Sequence, residues 1–233
     1  MTDSVAQALT DLAIPRVAHF TPSKNLFHIV QDSQVRSSKE LADLAPEYFD
    51  PTDVARFDRH PDMTCVSSTY PNGFYFAQAK VKPQFARFAD WVCLMLNPNI
   101  LTRPGVLFCP CNAARAGGRH AEPGAAALRR CFANPSLMGY TRGSGHHPQA
   151  ATDQQAEALV PGPIPLSDVL SIVIPSVEAA GEDYARLDVG GLAPERLNWV
   201  VSPVMFDRDK LSAAIRNGHK IEETIWSPQW GTQ

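Results

Sequence analysis

The sequence lacks the signatures of most common enzyme classes. It holds no G-x-G-x-x-G and no P-loop, so no Rossmann turn or Walker loop cradles a phosphate. Gly117-Gly118 and Gly143-Ser144-Gly145 are isolated loop glycines with the wrong spacing. G-x-S-x-G and H-E-x-x-H are also missing, which removes the hydrolase elbow and the helical zinc-protease site. There is no disulfide framework. The five cysteines (Cys65, Cys93, Cys109, Cys111 and Cys131) are odd in number, and Cys109-Pro110-Cys111 is not a C-x-x-C. Inert thiols in a reducing cytoplasm are expected. His146 and His147 are adjacent on a loop without a nearby carboxylate cluster, so no metal is expected. No basic-then-apolar leader and no apolar run of spanning length occur, which predicts a cytoplasmic protein away from membranes. Nor is there an excess of positive charge. At a net charge of -3, a nucleic-acid partner needs a local basic groove, to which Arg115, Arg119, Arg129 and Arg130 would contribute.

What is present suits one domain over residues 1–233, long enough to bury a core, with 44% hydrophobic residues. Residues 1–14 have helical spacing (Val5, Leu9, Leu12), and Pro15 ends that helix. A strand over Arg16–Phe20 precedes Thr21-Pro22, read as the cap and first residue of a helix. Ser37 and Glu40 have capping-box spacing for a helix over Lys39–Leu44. Residues 45–59 are irregular. Strands are predicted at Met63–Ser68, Gly73–Ala77, Trp91–Leu96 (apolar throughout, hence buried on both faces), Gly105–Phe108, Gln154–Val160, Val169–Ile174 and Trp199–Phe206. Further helices are expected within Glu122–Phe132, from a Ser176 cap to about Leu187, and from an Asp207 cap to Gly218. Residues 133–151 form a long loop and residues 219–233, with Trp226 and Trp230, a tail. Strands and helices do not alternate regularly, so the class is α+β.

Glu157 stands alone as a carboxylate in the run Gln154–Val160, directly after the long loop. On a strand its side chain leaves opposite the small Ala156 and Ala158. That describes a catalytic carboxylate at a cleft edge, or a solvated edge residue. His19 and Thr21 share a strand face and can present an imidazole and a hydroxyl to one ligand, or serve as a core histidine beside a cap. Asn72-Gly73-Phe74-Tyr75-Phe76-Ala77 reads as a strand with alternating aromatic packing. Arg56 can hold a phosphate through two parallel hydrogen bonds or lie on the surface.

The order of these residues, His-x-Thr, then Tyr75, then a late Glu, resembles the H-Y-E layout of ADP-ribosyltransferases. Several blocks are similar to the DarT-type DNA ADP-ribosyltransferase toxins: His19-Phe20-Thr21 with Asn25-Leu26, Arg56-Phe57-Asp58 with Ser67, and Tyr70-Pro71-Asn72. Trp91–Leu101 with Asn112-Ala113-Ala114, and Thr152–Val160 with Ile164-Pro165, complete the set. The likeness spans roughly residues 16–175. It implies an ADP-ribosyltransferase-like fold with mixed or antiparallel central sheets flanked by helices. It also implies NAD+ as co-substrate, a base (thymine or guanine) of single-stranded DNA as acceptor, and a macrodomain-type antitoxin as partner. By position, Glu157 and Arg56 would be catalytic, and His19, Thr21, Asn25 and Tyr75 would hold NAD+. Tyr140, Arg142, His146 and His147 of the long loop are candidates for contacting DNA. Other readings are an RNA, protein or water acceptor, or an inactive nucleic-acid-binding module.

Overall fold

The computed structural model describes residues 3–44, 56–85 and 90–228. In chain order its elements begin with α1 (Val5–Asp11), β1 (Val17–Pro22), α2 (Lys24–Gln31), β2 (Gln34–Val35), α3 (Ser38–Leu44) and β3 (Met63–Ser68). Then come α4 (Gly73–Ala79), β4 (Trp91–Leu96), β5 (Leu107–Cys109), β6 (Glu122–Pro123), α5 (Ala125–Arg130) and β7 (Glu157–Pro161). The last third holds β8 (Ile164–Pro165), β9 (Val169–Ile174), α6 (Val177–Val189), β10 (Trp199–Val201), α7 (Arg208–Asn217) and β11 (Thr224–Trp226).

Nine of the described strands form one mixed sheet in the order β11-β10-β9-β4-β1-β3-β7-β5-β6. Strand β4 is the spine, and every one of its residues is buried. It pairs antiparallel with β1 along that strand's whole length and with β9 on its other side. Alternation along β4 divides the core between the two faces. Val92, Leu94 and Leu96 join Leu26, Ile172, Leu187 and Trp199 on one side. Cys93 and Met95 join Ala18, Val173, Leu211 and Ile215 on the other.

The feature that positions the site is a split in this sheet. Strands β1 and β3 pair only at Val17↔Ser68 and Ala18↔Ser67. Beyond Ala18, β1 follows β4 while β3 follows β7, from Met63↔Pro161 to Val66↔Ala158. The two halves part there, so the backbone pairing opens between His19–Thr21 and Val66–Cys65, with the His19 ring reaching the Cys65 carbonyl across the gap.

Most predicted elements stand where periodicity placed them. Ser37 and Glu40 make the reciprocal capping box, with bonds of 2.8 and 3.3 Å. Four expectations fail. Gly73–Ala79 is a helix, because Asn72 Oδ1 caps the Tyr75 N–H at 2.9 Å and Phe76 and Ala79 bury one helical face. The strand at Trp199 stops at Val201, where Pro203 turns the chain into a 3-10 segment to Phe206. Residues 224–226 are not tail but edge strand β11, paired with β10. Thr21 is not a cap either. The strand runs through Pro22, Ser23 takes the cap position, and the Ser23 hydroxyl bonds Asp183. Trp230 and most of the irregular 45–59 stretch lie outside the described residues.

Candidate active site

Glu157 opens β7, opposite Cys109 of β5 and one residue past the last β3 pair, at the mouth of the split. Two donors hold its carboxylate. Asn72 Nδ2 reaches Oε1 at 3.2 Å and the Ala113 N–H reaches Oε2 at 2.9 Å. Burial nonetheless pushes its pKa from 4.5 to about 7, and the two donors and the Arg56 charge only partly offset this. At neutral pH the group is poised between acid and base, as a proton acceptor in a cleft should be.

His19 lies on β1, the other border of the split, and Arg56 acts on both His19 and Glu157 through its charge. The His19 Nδ1 lies 2.9 Å from the Cys65 carbonyl, in the region where β1 and β3 no longer pair. Burial, and then the Arg56 charge, hold the ring pKa below its usual value, so the imidazole is neutral. A neutral ring makes that bond only with its proton on Nδ1, leaving the Nε2 lone pair as an acceptor. Two residues along β1, Thr21 Oγ1 accepts a 3.0 Å bond from Asn25 Nδ2, which leaves the Thr21 hydroxyl proton to donate. Freed from capping, Thr21 lines the same strand face as His19.

Arg56 is spent on its own segment. It forms two parallel bonds with buried Asp58, at 3.0 and 2.6 Å. It also donates to the His60 and Met63 carbonyls at 2.7 and 3.1 Å and to Ser38 Oγ at 3.3 Å. It therefore pins the 56–63 turn beside the cleft and acts on Glu157 through its field. Tyr75 rises from the first turn of α4, with the Lys82 ammonium 5.8 Å above its ring.

The long loop is braced from within. Arg142 directs its guanidinium to the carbonyls of Ala150, His147 and Pro148 and to Thr152 Oγ1, at 2.9–3.3 Å. His147 Nε2 meets the Tyr70 hydroxyl at 2.9 Å, and His146 Nδ1 meets the His147 carbonyl at 3.0 Å. Burial lowers both imidazole pKa values. Tyr140 is half exposed. The structure thus links Glu157 and His19 through the Arg56 charge, places Thr21 further along β1 and Asn25 just after it, and holds Arg142, His146 and His147 as the loop's own frame.

Sequence reasoning assigned no role to Asn72, the Ala113 N–H or Asp58. The first two hold the carboxylate, and the third fixes Arg56. Their only signal was the blocks Tyr70-Pro71-Asn72, Asn112-Ala113-Ala114 and Arg56-Phe57-Asp58; a backbone donor has no side chain to read. Among the described residues, no group of three or more His, Cys, Asp or Glu side chains is placed to hold a metal ion.

Solved structures share this architecture. Thermus sp. 2.9 DarT in complex with NAD+ is 13% identical, with a TM-score of 0.55 over 83% of this chain and 98% of that one. The same protein in complex with ADP-ribosylated ssDNA is 14% identical, with a TM-score of 0.55 over 83% and 97%. Thermosipho africanus DarTG in complex with ADP-ribose gives 13% identity and a TM-score of 0.55 over 82% of this chain and 51% of that one. No curated protein matches the sequence. The model of the family described as DarT, ssDNA thymidine ADP-ribosyltransferase, matches residues 18–201, and the chain belongs to that family.

Proposed function

We propose that this protein transfers ADP-ribose from NAD+ to a thymine base of single-stranded DNA, with Glu157 as the catalytic group. The observation that carries the reading is the Glu157 carboxylate, half-buried at the mouth of a split sheet, held by two donors and raised to a pKa of about 7. Breaking the bond between ribose C1′ and nicotinamide sends the electron pair to nicotinamide and leaves positive charge on the sugar. A carboxylate facing that sugar lowers the barrier. As a base ring nitrogen bonds to C1′, its proton passes to the same carboxylate, which must be ionised beforehand.

The remaining residues bind and orient. His19 Nε2 accepts a ribose hydroxyl or amide proton, and the Thr21 hydroxyl, set by Asn25, donates to the nicotinamide end. Tyr75 stacks on the nicotinamide ring. Arg56, held by Asp58, supplies positive field toward the pyrophosphate. The fit of NAD+ rests on this unpaired stretch between β1 and β3 and on the His19 Nε2 lone pair, and the neighbouring folds hold NAD+ and ADP-ribose. We further propose a macrodomain-type antitoxin as partner and a cytoplasmic setting, in keeping with a DNA acceptor. No described helix is long and apolar enough to cross a membrane.

The test is Glu157→Ala, assayed by mass spectrometry for one ADP-ribose on a thymidine-containing oligonucleotide. The variant should fold and bind NAD+, with transfer reduced by on the order of 10²–10³ or more. Transfer at the wild-type rate would remove the assignment. Wild-type transfer itself should fall as pH drops below about 7, where Glu157 takes up a proton.

A further inference from the structure

Two turns dock on each other beside the cleft. One, residues 56–60, carries Arg56. The other, residues 112–119, carries the Ala113 N–H that holds Glu157. Their contact is close: a Cβ on Gly118 would lie 2.3 Å from the Asp58 carbonyl oxygen, and Gly118 has a φ of +79°. The Arg59 guanidinium lies over Gly117, its Nε, Nη2 and Cζ 3.5–3.7 Å from where a Cβ would stand, an ordinary contact, and the φ of +63° at Gly117 is what favours glycine there. Ala116 takes a φ of 53°, an uncommon value for a residue with a Cβ, to keep the turn tight.

The inward side of these turns serves the cleft. The same two docked turns carry Arg59, Arg115 and Arg119, all exposed, with the Arg59 guanidinium against Gly117. Arg119 folds back through Nε to the Ala116 carbonyl at 3.0 Å. Among the described residues, none of the three has a carboxylate within 4.0 Å, whereas every other described arginine except Arg142 and Arg216 has one. Phe57, two residues before Arg59, is 68% exposed. A local concentration of exposed guanidinium groups without a carboxylate in contact, of which Arg115 also acts at longer range on buried Asp153, in a chain of net charge -3 and beside a bare aromatic ring, is the chemistry that tracks a single strand: cations for phosphates, a ring for a base.

We propose that Arg59, Arg115 and Arg119, with Phe57, form the track that holds the single-stranded DNA flanking the acceptor base. The proposal rests on the acceptor reading above and moves the main DNA contact from the long loop to this paired turn. The arginines hold phosphates and Phe57 stacks on a neighbouring base, so the thymine enters the cleft over the Asp58–Gly118 contact.

The experiment measures fluorescence anisotropy of a labelled thymidine-containing DNA strand, and of the RNA strand of matching sequence, across a salt series. It compares wild type, Arg59→Ala/Arg115→Ala/Arg119→Ala, Arg115→Glu and Phe57→Ala. Calorimetry with NAD+ and a thermal melt accompany each. The triple variant should bind DNA at least about tenfold more weakly, with the slope of log K against log salt shallower by about 2, since each single-strand phosphate contact contributes about 0.7. Arg115→Glu should do the same to a smaller degree, which keeps the test sound if the triple variant folds poorly. Phe57→Ala should weaken binding by about tenfold with the slope unchanged. NAD+ affinity should stay at the wild-type value throughout. Wild-type DNA affinity and slope in the triple variant, while wild type still labels DNA, would overturn the track and leave the activity standing. Binding and labelling of RNA with none of DNA would overturn both.

Discussion

At the scale of single residues, Glu157 sets stability against function. Its ionised form is disfavoured by burial, and its pKa rises from 4.5 to about 7 on folding. The folded chain therefore holds a proton between these values that the unfolded chain has released. Stability from this group is full below about 4.5, falls as pH rises through the window, and levels off above about 7. The shift corresponds to about 3 kcal/mol. Glu157→Gln cannot ionise. In urea unfolding, the stability of the variant relative to wild type should climb by about 3 kcal/mol from pH 4.5 to pH 8. Other buried carboxyls, such as Asp153 and Asp183, titrate in both proteins and cancel. A difference that stays flat over that range would mean that Glu157 is not buried as an acid. This residue was singled out in the sequence because it was the lone carboxylate in an apolar run. Its environment was not legible, because Asn72 and Ala113 reach it from 85 and 44 residues away.

At the scale of elements, α4 shows why the site and the fold are hard to separate. Alternating aromatics at Phe74-Tyr75-Phe76 fit a strand by period, and a window of this length barely distinguishes periods of 2 and 3.6. The cap decides it. Asn72 Oδ1 holds the Tyr75 N–H, while Nδ2 of the same side chain holds Glu157. One amide thus starts the helix and positions the carboxylate. Asn72→Ala removes both. It should lower stability by about 1 kcal/mol, the usual worth of a cap, and move the acid limb of the pH–rate profile upward, because ionised Glu157 loses a donor. Asn72→Asp keeps an oxygen to cap α4 but sets a second negative charge beside Glu157. It should melt near wild type while shifting that limb further. If both variants keep the wild-type profile, the Asn72–Glu157 bond does not tune the site. The capping boxes and caps at Ser37, Ser176 and Asp207 were legible, because each uses only residues three or four apart. The Asn72 cap uses the same spacing, but the aromatic run masked it.

At the scale of the whole molecule, the split exists because β1 keeps β4 on one edge for all six residues but holds β3 on the other for only two. No local pattern encodes such a divergence. The irregular order of strands and helices announced an α+β fold without announcing where its sheet would open. The C-terminal segment helps hold that opening. Arg16, at the entry to β1, makes two parallel bonds of 2.6 Å to Glu223 and donates to the Thr69 carbonyl at 3.1 Å, just before the turn that carries Asn72. Ser202 Oγ donates to the Glu222 carbonyl, and Trp226 packs against Tyr184 and Trp199. Removing residues 222–233 should therefore destabilise the fold by about 2–4 kcal/mol, from lost apolar burial and the lost ion pair. That corresponds to a melting point roughly 5–15 °C lower at this chain length. Glu223→Ala isolates the ion pair and should cost no more than about 1 kcal/mol, since the pair is partly exposed. A truncated chain that melts with wild type would show that β11 adds nothing. A truncation no worse than Glu223→Ala would place the whole effect in the tie to Arg16, and hence in the strand that carries His19 and Thr21.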